Sequence, residues 1–512
     1  MCSVRRETVE TGGVMAREGG RLGRHLAAVR RWWRRIASYR GAGIARPRGL
    51  ARLAVLPMPP RGFRVVCRWT AAPGPRTAMA ATAAHIRVLV GPHNLTANLC
   101  IWSETVRPEI AASAYPLAAW FVEAWWRLHY EPLPAPYVAV GRDWRVAHEL
   151  AATFRGFSWP KVLWCSDGAL MQVWAVATPP SRRQAVRYLS DTGGPVALDL
   201  ADFTAGLDAF MAVVARRLNV CGRDRDALLA RWAAVQADRA DREACCYRRL
   251  EAQLGYGTGQ CAPGLMALVR GLVAPMGPAA GELVPAYGKA AGLAIGDLET
   301  AVDRAGEGGA PQDPCRGVRE AVPRKGWGEQ GVLWARGLRR AIGEAARPLD
   351  DARLCSLLGI TLPQALRLAK PNPRAFLGIP APGGTYRLLF RAGDRLALRW
   401  EWARLYGDFL LPERVRGGWL VGTDLPTWRQ KFQTAFAGEL LCPAQALTAF
   451  LGGSLDAASL ADAARHFGVC GEVVRAALDR AGLISPTRHG RATGFPYGAQ
   501  SGPARPRARR SV

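Results

Sequence analysis

Two stretches in the last third of the chain decide how it is read. One is Trp400-Glu401-Trp402-Ala403-Arg404-Leu405-Tyr406-Gly407-Asp408-Phe409-Leu410-Leu411. The other is Gln430-Lys431-Phe432-Gln433-Thr434-Ala435-Phe436-Ala437-Gly438-Glu439-Leu440-Leu441-Cys442-Pro443. Each reads as a helix. In the first, Arg404 and Asp408 stand four residues apart, so their side chains leave one face a turn apart. An ion pair between them is expected, in the weaker Arg-before-Asp order. It would contribute ~0.2–0.5 kcal/mol if exposed, and burial changes its value without guaranteeing stabilisation. Its expected role is packing.

Just upstream, Tyr386–Phe390 and Arg395–Arg399 read as short strands around Ala392-Gly393-Asp394. Downstream, Leu455–Cys470 leads into Glu472–Leu478, two short helices broken at Phe467-Gly468-Val469. That is the shape of a helix-turn-helix, here over 455–482, with glycine in the turn. A helix that reads bases needs polar or basic residues near its start. This one offers Cys470, Gly471, Glu472 and a single Arg475. Arg465 and Arg475 are the candidate nucleic-acid contacts. A packing or dimerisation element is the better-supported reading.

The two stretches together resemble the ImmA/IrrE family of metallopeptidases. In that family a strand leads through Arg-Phe into a helix of the form A-H-E-L-G-H followed by L-L. A second helix reads E-x-x-A-N-x-F-A-A-E-L-L-M-P. Here Arg399-Trp400 matches the start, and Ala403, Gly407, Leu410 and Leu411 match the frame of the first helix. Phe436-Ala437-Gly438-Glu439-Leu440-Leu441-Cys442-Pro443 matches the second closely. The resemblance spans about residues 325–485. It implies a zincin-like module of short strands around an active-site-type helix, with a small helical element after it.

The departures fall on the chemical positions. In H-E-x-x-H, two imidazoles one turn apart face one zinc ion and the Glu activates water. The His positions carried over from the family are Arg404 and Asp408, the Glu position is Leu405, and the third-ligand Glu falls on Gln430. Arginine cannot give up its proton to bind a metal, leucine has no basic group, and an amide is a poor zinc ligand. The module is therefore expected to hold no zinc, to need no cofactor and to carry no catalytic residue. One decoy lies elsewhere: Trp144-Arg145-Val146-Ala147-His148-Glu149-Leu150-Ala151-Ala152 starts like a zincin helix but has Ala152 at the second His position. His148 is the weak alternative metal ligand, with His85, His93 and His129 as possible partners in space.

Outward from the module, residues 303–325 are rich in Gly, Pro and charge and read as a linker. Residues 326–485 form the second unit. The first unit, 77–302, is expected to be a mixed, mostly helical domain with a small sheet. His85–Val90 alternates as a strand does. Leu117, Phe121, Trp125 and Leu128 line one helical face. Val162–Ser166 and Leu170–Val176 flank Asp167-Gly168 as a hairpin does. Asp202–Leu218 and Asp224–Leu254 are expected helices, the latter stopped by Gly255.

The ends differ in composition. Net charge is +28 over 512 residues. Residues 1–76 hold 17 Arg and 3 Glu, and 486–512 hold 6 Arg with no acid, which leaves only +8 between them. Both ends are expected to be disordered, and Met58 or Met79 are alternative starts. Basic tails can bind phosphate backbones, but only 5 of the 69 basic residues are Lys. That bias belongs with the abundant Arg, Ala, Gly and Pro of GC-rich coding sequence. Twelve Cys lie scattered without a CxxC pair, as in a reduced cytoplasmic protein. No stretch of about 18 apolar residues is free of charge, so no membrane span is expected.

The expected fold class is α+β, predominantly helical. The expected function is that of a non-catalytic regulatory protein that binds a protein partner through a zinc-less pseudo-metallopeptidase module. An active peptidase with unusual ligands, and a DNA-binding regulator using the helix-turn-helix-like end and the tails, stay open at this point.

Overall fold

The computed structural model of the protein describes residues 62–70, 77–153, 157–180, 185–306, 308–314, 326–371, 373–391, 393–411 and 418–484. Strand β1 (Phe63–Trp69) buries Phe63 and Val65 and turns Val66 and Arg68 outward, the alternation of a half-buried strand. It pairs antiparallel along its whole length with β2 (Ala83–Val90), Phe63 opposite Val90 and Trp69 opposite Ala84. The expected unstructured stretch 1–76 is corrected for these seven residues. The Phe-x-Val-x-Cys-x-Trp alternation outweighs the arginines interleaved with it, because β2 supplies both a ladder and a core. Most of the remaining stretch, like the expected tail 486–512, lies outside the described residues.

Strand β2 covers the expected His85–Val90 and also pairs with Ile110–Ser113. Helix α1 (Ala114–Tyr130) follows at once, capped by the Ser113 hydroxyl, and buries Leu117, Phe121, Trp125 and Leu128 as their spacing predicts. The hairpin of β3 (Lys161–Ser166) and β4 (Leu170–Val176) forms as read, and β5 (Val196–Asp199) joins β4. Helix α2 (Leu200–Val220) then crosses β1 so closely that a Cβ on Gly206 would lie 2.2 Å from the Phe63 carbonyl oxygen.

The long helix expected over Asp224–Leu254 is two helices, α3 (Ala227–Ala240) and α4 (Arg242–Gln253). Asp241 ends one and caps the next, its carboxylate accepting from the Ala244 amide. A short acidic side chain gains more at a cap than inside a helix. Farther on, α5 (Ala280–Ala286) and its neighbouring helices share a core with the C-terminal sheet. Leu283, Tyr287 and Leu298 meet Leu377, Leu389, Trp419 and Val421 there.

The expected boundary at 302/303 therefore does not separate two cores. The described part of the expected linker is packed chain: Gly306 bridges Leu388, and the Tyr386 amide donates to the Gly309 carbonyl. Glycine in such a run permits close backbone approach, which composition alone cannot distinguish from a tether. All described residues belong to one compact unit, Pro59–Val512.

Helix α6 (Trp327–Ala341) precedes the C-terminal sheet. That sheet runs in the order β6 (Ala369–Lys370), β8 (Thr385–Arg391), β7 (Phe376–Ala381), β9 (Leu420–Gly422). Tyr386–Phe390 is strand as expected. Arg395–Arg399 is not: these residues are the first turns of α7 (Arg395–Leu410), started by the Asp394 carboxylate accepting from the Ala397 amide. The Asp394 cap starts a helix here and so decides the conformation of the residues after it. From Leu398 to Asp408 every residue but Trp400 is buried, as befits a helix enclosed on all sides.

Helix α8 (Trp428–Leu441) packs across α7, and a Cβ on Gly407 would meet the Phe436 ring at 2.6 Å. Only glycine lets these two helices approach so closely. The expected helix pair at the end is α9 (Ala457–Phe467) and α10 (Gly471–Arg480), turned at Gly468 with φ 60°.

Of the described residues 52% are helical and 17% are strand, so the fold class is α+β, predominantly helical. Among the described residues one helical stretch, Trp428–Leu451, has the length and hydropathy of a membrane span, and 61% of its apolar 18-residue window is buried within the protein. It is a core element.

Candidate functional site

Helices α7 and α8 bring the three carried-over ligand positions into one buried cluster. Arg404, Asp408 and Gln430 are 4%, 0% and 3% exposed. Gln430 stands in the first turn of α8, its amide N–H donating to the capping Thr427 hydroxyl. Leu405, at the position of the catalytic Glu, is fully buried in the core.

Arg404 and Asp408 do not form the expected ion pair. The Arg404 Nη2 donates to Gln430 Oε1 at 2.6 Å and to the Thr423 carbonyl. Its Nη1 lies 3.7 Å from Asp424, its Nε has no partner, and its plane lies over the Phe376 ring at 5.1 Å. Asp408 instead takes both Nε and Nη2 of Arg429, at 2.7 and 2.6 Å. It also accepts from Gln433 Nε2 and the Val421 amide, at 2.8 and 2.9 Å. A buried carboxylate favours the partner that presents a parallel fork. Arg429, one residue before Gln430, does so. Arg404, turned toward Gln430, cannot.

Gln430 is saturated. Its Oε1 accepts from Arg404 and from the Thr423 amide, and its Nε2 donates to Glu282 of α5 at 3.0 Å and to the Val421 carbonyl. A glutamate here would turn a carboxylate toward Glu282. The amide suits both neighbours at once.

Burial lowers Arg404 to about 10, with Asp424 opposing the drop, so the group stays cationic at neutral pH. Asp424 is held below the usual aspartate range. Burial alone would raise it, but the bonds and charge of Arg391 and the charge of Arg404 outweigh that. Burial raises Glu401 despite its bonds to Arg391.

This donor set does not fit zinc. A guanidinium and an amide stand at two of the three positions, and neither is a zinc ligand. Asp408, the one carboxylate among the three, already accepts four hydrogen bonds. Above the cluster an open cleft of about 650 Å³ remains, with Arg404 and Gln430 in its wall and Tyr137, Lys431, Thr434 and Arg480 around it. Charged and polar groups make up much of its lining.

The other candidates are dispersed. His148 is fully buried, one ring nitrogen on the Trp164 carbonyl and the other on Glu131, at 2.9 and 3.0 Å. Glu149 is paired with Arg145. Among the described residues no group of three or more His, Cys, Asp or Glu is arranged to hold a metal. Arg465 is exposed and paired with Asp462, and Arg475 is exposed on α10.

Sequence reasoning missed Arg429, Asp424, Thr423 and Glu282. Arg429 was legible as the neighbour of Gln430. Glu282 carried no signal, being 148 residues from Gln430 along the chain. Comparison of the chain with protein-family models, with curated proteins and with solved structures finds no match in any of the three.

Proposed function

We propose that this chain is a non-catalytic binding protein, a degenerate ImmA/IrrE-like module fused to a larger N-terminal half. In this reading the former catalytic cleft serves as a docking surface for a protein partner. The observation that carries it is the Arg404 guanidinium beneath an open cleft, hydrogen-bonded to Gln430. A fixed positive charge stands where the resembled family holds a divalent cation, and it repels one. The cleft has not been filled, and hydrogen-bond donors line it. Fold-level likeness cannot assign function, so the reading rests on those residues.

The helix-turn-helix-like end gives the nucleic-acid reading less support. Glu472 and Asp479 offset Arg475 and Arg480 on the exposed face of α10. All ten cysteines among the described residues are free thiols, which suits the cytoplasm as the place of action.

Metal analysis of the full chain purified with zinc present tests the reading, together with photo-cross-linkers at Tyr137 and Thr434 on the cleft rim. Sub-stoichiometric zinc is expected. A discrete protein adduct is expected from the rim positions and not from exposed Leu268. Stoichiometric zinc, or an adduct pattern indifferent to position, overturns it.

A further inference from the structure

A second cavity, of about 230 Å³, lies on the other side of the Gln430 cluster. The end of α1, the β3–β4 turn, α4, α5 and the segments beside α7 and α8 enclose it. Its walls include Tyr130, Met276, Trp419 and Trp428. Its lining sets these faces beside convergent polar and charged groups, and small-molecule sites favour the seams between parts of a fold.

Most charged groups facing this cavity are matched. Arg429 is held bidentate by Asp408, and Asp167 by Lys431 and Gln172. His129 is hydrogen-bonded through both ring nitrogens and is lowered to about 4 by burial, hence neutral. Arg249 is exposed and lies over the Tyr130 ring at 4.8 Å.

Glu282 differs. It is 5% exposed, and its Oε2 accepts from Thr427 Oγ1 and Gln430 Nε2, at 2.7 and 3.0 Å. Its Oε1 has no hydrogen-bond partner, and no cation reaches ion-pair distance among the described residues. A carboxyl so enclosed is costly unless paired. Burial raises it above the usual range, with Arg429 opposing the rise and Asp408 adding to it.

We propose that this cavity binds a small organic cation, a primary ammonium whose charge meets the free oxygen of Glu282 and whose carbon body packs on Trp419 and Trp428. An ammonium supplies the missing counter-charge and up to three donors, and aromatic faces next to a carboxylate favour a cation over a neutral isostere. The cavity volume admits an aromatic or short alkyl amine and excludes a peptide. This cavity and the cleft share no lining residue, and Gln430 of the cleft wall stands between them, bonded to Glu282.

The test is calorimetric titration of the full chain at neutral pH with benzylammonium chloride and with benzyl alcohol, its neutral isostere. Benzylammonium should bind about tenfold tighter than the alcohol. Glu282→Gln should erase that preference while still melting cooperatively. Trp428→Leu keeps the carboxyl and should weaken benzylammonium several-fold. If Glu282→Gln does not fold, the wild-type preference and the Trp428→Leu loss decide the question. Equal affinity for the two compounds, no saturable uptake of benzylammonium, or a preference that survives in folded Glu282→Gln overturns the proposal.

Discussion

Asp408→Asn is the sharpest test of how the buried cluster between α7 and α8 is held together. The change removes one charge and almost no volume from a side chain that is 0% exposed. The Asp408 carboxylate accepts from Arg429 twice, from Gln433 and from the Val421 amide. An asparagine keeps one acceptor oxygen and turns an NH2 toward donors. Arg429, itself 5% exposed, is left without a counter-ion, which costs ~3–5 kcal/mol when a buried pair loses one member. The orphaned donors overlap with that figure and are not added to it.

Set against a typical total of ~5–15 kcal/mol, the variant should fold and lose roughly a third of its denaturant midpoint. A double-mutant cycle assigns the partner. Asp408→Asn with Arg429→Met should show ~2–3 kcal/mol of coupling, and Asp408→Asn with Arg404→Met under ~1 kcal/mol. Urea unfolding followed by tryptophan fluorescence reads both cycles. Coupling to Arg404 that equals or exceeds coupling to Arg429 would restore the helical-turn pair and refute the network described here.

Glu282→Gln tests the buried carboxyl through pH. A folded value above the unfolded 4.5 means that the native chain binds this proton more tightly. Its stabilisation is full below the unfolded value and is lost as pH rises through the folded one. Unfolding free energies of variant and wild type, compared from about pH 4 to pH 8, should therefore shift in favour of the variant as pH rises, and a constant difference counts against the reading. Gly206→Ala would place a Cβ 2.2 Å from the Phe63 carbonyl oxygen. It should destabilise by ~1–3 kcal/mol through overpacking of α2 on β1. A gain in urea midpoint, as expected for glycine replacement in an unobstructed helix, would show that β1 does not pack there.

Local signals were legible wherever one residue type has one strong physical preference. The stripe from Leu117 to Leu128 marked α1, alternation marked β2, and glycine at 468 marked the turn between α9 and α10. The misreadings share a cause. Arg395–Arg399 and Asp224–Leu254 were judged by pattern across a stretch, and single capping aspartates, Asp394 and Asp241, decided them. Composition reads Phe63–Trp69 as tail and Gly306 and Gly309 as linker, and contacts with distant strands decide all of them.

At the candidate site the division is sharper. Residue identity alone determined that Arg404, Leu405, Asp408 and Gln430 cannot form a zinc-peptidase donor set, because proton affinity and lone pairs belong to the side chain wherever it lies. Only the tertiary structure decided which charge answers which. A spacing of four residues permitted an Arg404–Asp408 pair. Burial placed Arg429, Thr423 and Glu282 closer, from segments that the one-dimensional order keeps apart. In a medium that penalises every unmet charge, a buried ion takes the partner with the best geometry in space, and nearness along the chain does not choose it.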